Sequence, residues 1–282
     1  MTAKELILTH LLDCRRIDLY VDPPPLSPRQ TRELETMEMR LSTGEPLQYI
    51  LGRCEFMGLT LEVDERVFIP RPETEIVVEA ALEKIQSLQN QRSSETPLNI
   101  LDLGCGSGNI AISLARFCEA CTITTIDCSK EALEVALHNA QVHRIEHKIT
   151  FLKGDLWEPL KEEATEKTFD LVVSNPPYVS RREFRDLPEK VSREPILALD
   201  GGCDGLDFYL RIFKEARAFV RPGGFLILEI GDGQRRALQE MFEDHSYLRG
   251  IEFRKDLCGR DRVLVVEVAG SRRQENHGQA DH

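Results

Sequence analysis

The chain has 282 residues, 41% of them hydrophobic and 30% charged, and a formal net charge of −12. That length buries one good core beside a small extra domain. The acidity argues against a protein that lives on nucleic acid, where a basic face supplies most of the affinity. No apolar run reaches the length of a membrane span and no signal-peptide pattern opens the chain, so a cytoplasmic protein without a membrane partner is expected.

Residues 1–46 read as a small helical domain. Leu6, Ile7, Leu11 and Leu12 recur at helix spacing, Asp22-Pro23-Pro24-Pro25 breaks the pattern, and Ser27 caps a second helix running to about Ser42. Residues 47–72 read as an extended β-hairpin linker: Gln48-Tyr49-Ile50-Leu51, a turn at Gly52, then the alternation of Leu59 to Val63. A helix from Glu73 to about Leu88 opens the third unit, residues 73–269, and Gln89 to Pro97 is polar loop. From Leu98 strands and helices alternate, with strands at Asn99–Leu103, Thr122–Asp127, Ile149–Leu152, Leu171–Ser174 and Phe225–Ile230. Helices such as Lys130–His143 and Asp207–Phe219 lie between them. This is an α/β pattern, a doubly wound parallel sheet covered on both faces. Gly250–Arg254 and Arg262–Val268 form a hairpin that puts an antiparallel strand at the edge, and residues 270–282 are a disordered tail. Of eight scattered cysteines, only Cys118 and Cys121 have metal-like spacing. No second pair completes the four ligands of a zinc site, so no metal is expected and the two read as small buried hydrophobes.

Asp102-Leu103-Gly104-Cys105-Gly106-Ser107-Gly108 follows the first parallel strand and opens a helix. Glycines there let backbone approach a ligand, although the spacing is not the dinucleotide one and a plain structural turn would look the same. The next strand ends at Asp127, whose carboxylate can hold two ribose hydroxyls. The strand after it ends at Gly154-Asp155-Leu156-Trp157: Asp155 can accept from an adenine amino group, and Leu156 or Trp157 can pack on the ring. Three such loops at successive carboxyl ends of one parallel sheet are similar to the Rossmann-like fold of S-adenosylmethionine-dependent methyltransferases, which implies that cofactor.

Asn175-Pro176-Pro177-Tyr178 ends the fourth strand. An Asn carbonyl and a proline-fixed backbone carbonyl can each accept one hydrogen of a planar –NH2, which localises and aims its lone pair. Tyr178 offers an aromatic face to the flat group. Methylated adenine and glutamine amides both fit this motif. Three further stretches separate them: Gly44 to Gly52, Val67-Phe68-Ile69-Pro70-Arg71-Pro72-Glu73-Thr74-Glu75, and Glu194-Pro195 with Ala198 to Leu206. Together with Leu228-Glu229-Ile230-Gly231, Gln234 and Asp256 to Arg262, they closely resemble the HemK/PrmC family, protein-(glutamine) methyltransferases of peptide chain release factors. The resemblance spans roughly residues 40–268, and Cys105, where many relatives carry Thr, departs from it only at a backbone-contributing position.

The resemblance implies a glutamine in a Gly-Gly-Gln loop as substrate. Asn175, Pro176 and Tyr178 would be catalytic, and Phe68, Pro70, Arg71 and Pro177 would join them in a glutamine pocket. Asp102, Gly104, Cys105, Gly106, Ser107, Gly108, Asp127, Asp155, Leu156, Trp157 and Asn175 would hold the cofactor, the N-terminal helices would serve substrate recognition, and the long stretch 179–205 would be a substrate-binding flap. Rival readings are a ribosomal-protein glutamine methyltransferase, a nucleic-acid adenine methyltransferase and a non-catalytic cofactor-binding subunit. An intact Asn175 argues against the last.

Overall fold

The computed structural model describes residues 2–92, 96–162 and 168–269; the tail expected over 270–282 lies outside them. The chain opens with α1 (Ala3–Leu12), α2 (Asp18–Val21) and α3 (Pro28–Ser42). Thr2 and Ser27 cap α1 and α3, and Glu5 and Gln30 complete a capping box at each. Then comes a difference from the sequence reading. Leu47–Leu51 is not extended but forms a helix, α4. Leu47, Ile50 and Leu51 sit at helix spacing and pack with Ile7 and Met37, so burial against α1 and α3 decides the conformation. Gly52 ends α4 at φ +69°. The hairpin is shorter than the expected linker: β1 (Arg53–Phe56) and β2 (Leu59–Glu62).

A 3₁₀ turn at Pro72–Thr74 leads into α5 (Glu75–Gln91). The alternating part follows: β3 (Leu98–Leu103), α6 (Asn109–Phe117), β4 (Cys121–Asp127), α7 (Lys130–Val142), β5 (Ile149–Lys153), α8 (Glu158–Glu162) and β6 (Phe169–Ser174). After the long connection come α9 (Asp207–Phe219), β7 (Val220–Glu229), α10 (Arg235–Glu243), β8 (Leu248–Lys255) and β9 (Asp261–Val268). The seven-stranded sheet has the order β5-β4-β3-β6-β7-β9-β8. The antiparallel strand is β9, set between β7 and the edge strand β8.

Every residue of β6 is buried, as a strand covered on both faces requires. Leu171 and Val173 join one core with α5 and α6, while Phe169 and Val172 join another with α9 and α10. Cys118 and Cys121 are free thiols buried at the junction of α6 and β4. Among the described residues no helix is long and apolar enough to cross a membrane.

The base of β6 carries a buried charge. The Asp170 carboxylate accepts from the Asn99 backbone of β3 at 2.8 Å and pairs with Arg92 and with Arg221, the latter at 2.9 Å. Its side chain is 1% exposed, so removing it strands a backbone donor and two arginines. Asp170→Ala is expected to lower unfolding stability by about 2–4 kcal/mol in a denaturant titration, with an unchanged m value.

Candidate active site

A cleft of about 390 Å³ lies at the carboxyl ends of β3, β4, β5 and β6. Its floor is the glycine turn. Gly104, Cys105, Gly106 and Ser107 line it, and a side chain added at Gly104 or Gly106 would meet no protein atom within 4 Å, only the space of the cleft. Both have positive φ, +81° and +52°, which a glycine tolerates without strain. Gly108 lies behind the floor, where a Cβ would come 2.9 Å from Ile112 and 3.1 Å from Ala136; it serves the packing of α6 on α7. Asp102 is also behind the floor. It is fully buried, accepts from the Thr125 hydroxyl at 3.1 Å, and burial pushes its carboxyl up to about 7. It supports the turn from below and does not line the cleft.

Asp127 stands where the sequence places it. Its carboxylate accepts from Gly106 N–H and from Ser129 N–H, each at 2.9 Å, which ties the β4 end to the glycine turn. A carboxylate has about four acceptor sites, so two remain for hydroxyl donors. Asp155 lines the cleft and pairs with Arg211 at 2.6 Å through one oxygen. Leu156 lines it too, with φ +49°, a left-handed conformation that costs a leucine about 1 kcal/mol and turns its side chain to the cleft. Trp157 points the other way: it is 0% exposed and its ring stacks on Phe219 at 5.1 Å. Of the two side chains expected against a ring, only Leu156 is in place. The Ser107 hydroxyl, buried at the floor, has no protein partner. An open glycine cradle, two acceptor carboxylates, an apolar side chain and an unpartnered hydroxyl fit S-adenosylmethionine, with its ammonium, ribose and adenine groups.

Asn175, Pro177 and Tyr178 form a second wall, beside the glycine turn. Pro176 is buried and does not itself line the cleft. The Asn175 amide nitrogen donates to Thr74 Oγ at 3.1 Å, the Thr74 hydroxyl donates to Glu229 Oε2 at 2.5 Å, and the Tyr178 hydroxyl donates to Glu229 Oε1 at 3.2 Å. Burial pushes the Glu229 carboxyl up to about 7, opposed by those two donors. Burial also raises the Tyr178 hydroxyl well above its ordinary value, so it remains a donor. The loop is braced from behind. Gln234 donates to the carbonyls of Tyr178 at 3.1 Å and Gly205 at 3.0 Å. A Cβ at Gly205 would lie 2.3 Å from the Tyr178 carbonyl oxygen, so glycine is required there.

The third wall comes from Phe68, Arg71 and the segment 187–199. The Arg71 guanidinium lies 4.7 Å from the centre of the Phe68 ring and pairs with Glu194, whose other oxygen accepts from Ile69 N–H at 3.1 Å. Pro70 is buried and does not reach the cleft. The sequence reading assigned no function to Thr74, Glu194, Glu229 or Gln234 individually. One signal was present: Glu229 closes the apolar run Phe225-Leu226-Ile227-Leu228, and an acid on a buried strand needs partners or a purpose.

Comparison with known proteins gives the same architecture a lineage. Residues 2–52 match the PrmC N-terminal domain family and residues 94–268 match a methyltransferase domain family. The release factor glutamine methyltransferase of Thermodesulfovibrio yellowstonii is 38% identical over 94% of this chain and 91% of its own length. That of Geobacter sulfurreducens is 39% identical over 92% and 87%. A methyltransferase structure from Pyrococcus furiosus, 18% identical, superposes with a TM-score of 0.52 over 87% of this chain and all of its own, which places the fold. The protein is an S-adenosylmethionine-dependent methyltransferase, and it belongs to the release factor glutamine methyltransferase family.

Proposed function

We propose that the enzyme methylates the side-chain amide nitrogen of the glutamine in the Gly-Gly-Gln loop of peptide chain release factors, and that Asn175 orients that amide. The observation that carries the reading is the placement of Asn175. It stands beside the glycine turn at the cleft, because Leu103 and Ser174 are paired, with its own nitrogen engaged by Thr74 and its carbonyl oxygen left for the cleft.

S-adenosylmethionine, when bound, supplies a methyl group made electrophilic by a positive sulfonium. The backbone of residues 104–107, the Asp127 and Asp155 carboxylates and Leu156 would hold it. Asn175 Oδ1 and the Pro176 carbonyl each accept one hydrogen of the target –NH2. That opposes delocalisation of the lone pair into the amide and fixes its direction. The Tyr178 ring covers the flat amide, and Phe68 covers the methylene stem. Arg71 holds Phe68 and, through Glu194, the segment 187–199, part of the 179–205 flap beside the substrate. Among the described residues no histidine lines the cleft, and none is needed before the methyl group moves; the cationic nitrogen that the transfer leaves then gives up one of its two hydrogens to solvent.

The relatives' names favour a release factor over a ribosomal protein as acceptor. A net charge of −12 speaks against nucleic acid as a direct partner. The N-terminal helices meet the body of the release factor: Ile17, Tyr20 and Val21 beside and on α2 are 56%, 66% and 76% exposed. Such a substrate places the enzyme in the cytoplasm, where translation terminates.

Three outcomes are expected. Asn175→Ala lowers turnover on a release factor by about 10²–10³ while calorimetry shows nearly unchanged cofactor affinity, because the contact acts mainly in the transition state. Near-normal turnover by the folded variant contradicts the assignment. With labelled cofactor, a folded release factor accepts methyl groups and duplex DNA, single-stranded DNA and RNA do not. Phe68→Ala weakens use of the release factor with cofactor binding retained. Equal labelling of DNA leaves only the fold standing.

A further inference from the structure

The Asn175 reading needs its carbonyl, and not its NH2, to face the substrate. An asparagine amide is nearly symmetric in shape, and a 180° turn about its last bond exchanges the two groups. The turned form would aim a donor at the donor –NH2 of the target. Something must select one orientation.

The hydrogen bonds of the wall do so. Thr74 is fully buried on the 3₁₀ turn before α5, and Glu229 is 1% exposed at the end of β7. A carboxylate has no proton of its own, so Glu229 can only accept. It accepts from Thr74 at 2.5 Å and from Tyr178 at 3.2 Å. The Thr74 hydroxyl has one hydrogen, and that hydrogen is committed to Glu229. Its oxygen can then only accept, and the group of Asn175 that faces it at 3.1 Å must be the NH2. The donor order runs one way, from Asn175 through Thr74 to Glu229.

We infer that Thr74 and Glu229 are positioning residues of the methyl transfer: the Glu229 carboxylate sets the direction of the hydrogen-bond chain, and Thr74 transmits it to the Asn175 amide. The inference rests on the proposed function of Asn175. It adds a dependence on the charge state of a residue that touches neither substrate nor cofactor.

The surroundings of Glu229 set when that charge is present. Burial raises its pKa, the Thr74 and Tyr178 hydroxyls lower it, Arg262 of β9 lowers it, and Glu73 beside Thr74 raises it. Tyr209 of α9 donates to the Glu229 backbone carbonyl at 2.8 Å. The balance falls at about 7. Below that pH the protonated acid gains a donor. With the proton on Oε2 it donates to Thr74, frees the Thr74 hydrogen for Asn175, and favours the turned amide. The accept-only form grows as pH rises through about 7.

Steady-state kinetics on the full-length enzyme with a release factor as acceptor tests this, with cofactor affinity and melting temperature measured alongside. Thr74→Val removes the hydroxyl at constant shape. The expected result is a kcat about tenfold lower, one hydrogen bond's worth, with cofactor Kd close to wild type and the variant folded at the assay temperature, its melting temperature lowered only by the one donor that Glu229 loses. Thr74→Ser restores kcat to within about threefold, since the hydroxyl returns. The wild-type kcat declines as pH falls below about 7, and the decline is absent in Glu229→Gln, whose amide does not titrate. The inference is overturned if Thr74→Val turns over like wild type while Asn175→Ala is inactive. It is overturned equally if Thr74→Ser fails to rescue, if the loss follows cofactor affinity or unfolding at the assay temperature, or if the acid decline persists in Glu229→Gln. An active Asn175→Ala variant is a different failure, that of the underlying reading.

Discussion

The register between β3 and β6 is the constraint from which the site follows. Leu103 pairs with Ser174, the last residues of two parallel strands at the middle of the sheet. The Ser174 hydroxyl closes on the Leu103 carbonyl at 2.6 Å and locks the two ends level. One residue further along each strand stand Gly104 and Asn175. A glycine turn that can seat a cofactor and an asparagine that can aim an amide are therefore side by side because two strands end together. A slip by one residue would turn Val172 and Val173 to the wrong faces, so both cores defend the register.

Burial then makes the polar groups of the site directional. The cleft wall behind Asn175 is closed to water, so each buried polar atom needs a protein partner. Glu229 meets this with two hydroxyl donors and stays available as the end of a chain. Asp127 meets it with two backbone donors and keeps spare acceptor sites toward the cleft. The same carboxylate chemistry serves as a hidden anchor in one place and as an open acceptor in the other. The walls come from residues far apart in the chain: Thr74 and Glu229 are 155 positions apart, and Ile69 and Glu194 are 125 apart. Packing of α5 and of the 187–199 segment onto the sheet is thus a precondition for chemistry at its edge.

The alternating half of the fold was legible in the sequence because parallel strands are continuous apolar runs and the loops after them carry glycine, acids and Asn-Pro. The cleft-facing Gly104, Gly106, Asp127, Asp155, Asn175 and Tyr178 were legible for the same reason. Three things were not. Leu47–Leu51 has helix spacing over barely one turn, too little to outweigh an extended reading, and its helix depends on α1 and α3. Leu156 and Trp157 are adjacent apolar residues, and the left-handed turn at Leu156, which only tertiary structure enforces, decides which one lines the cleft. The Asn175–Thr74–Glu229 chain joins three separate motifs, and a linear sequence does not reveal which of their polar atoms touch.

The central claim is that two level strand ends bring a methyl donor to a planar side-chain amide nitrogen. Tandem mass spectrometry of a release factor treated with enzyme and isotopically labelled cofactor tests it most directly. The account predicts a single labelled methyl group on the side-chain nitrogen of the Gly-Gly-Gln glutamine, and none when that glutamine is replaced by alanine. A methyl group on an oxygen, on a backbone nitrogen or on an arginine or lysine of the same protein would contradict it.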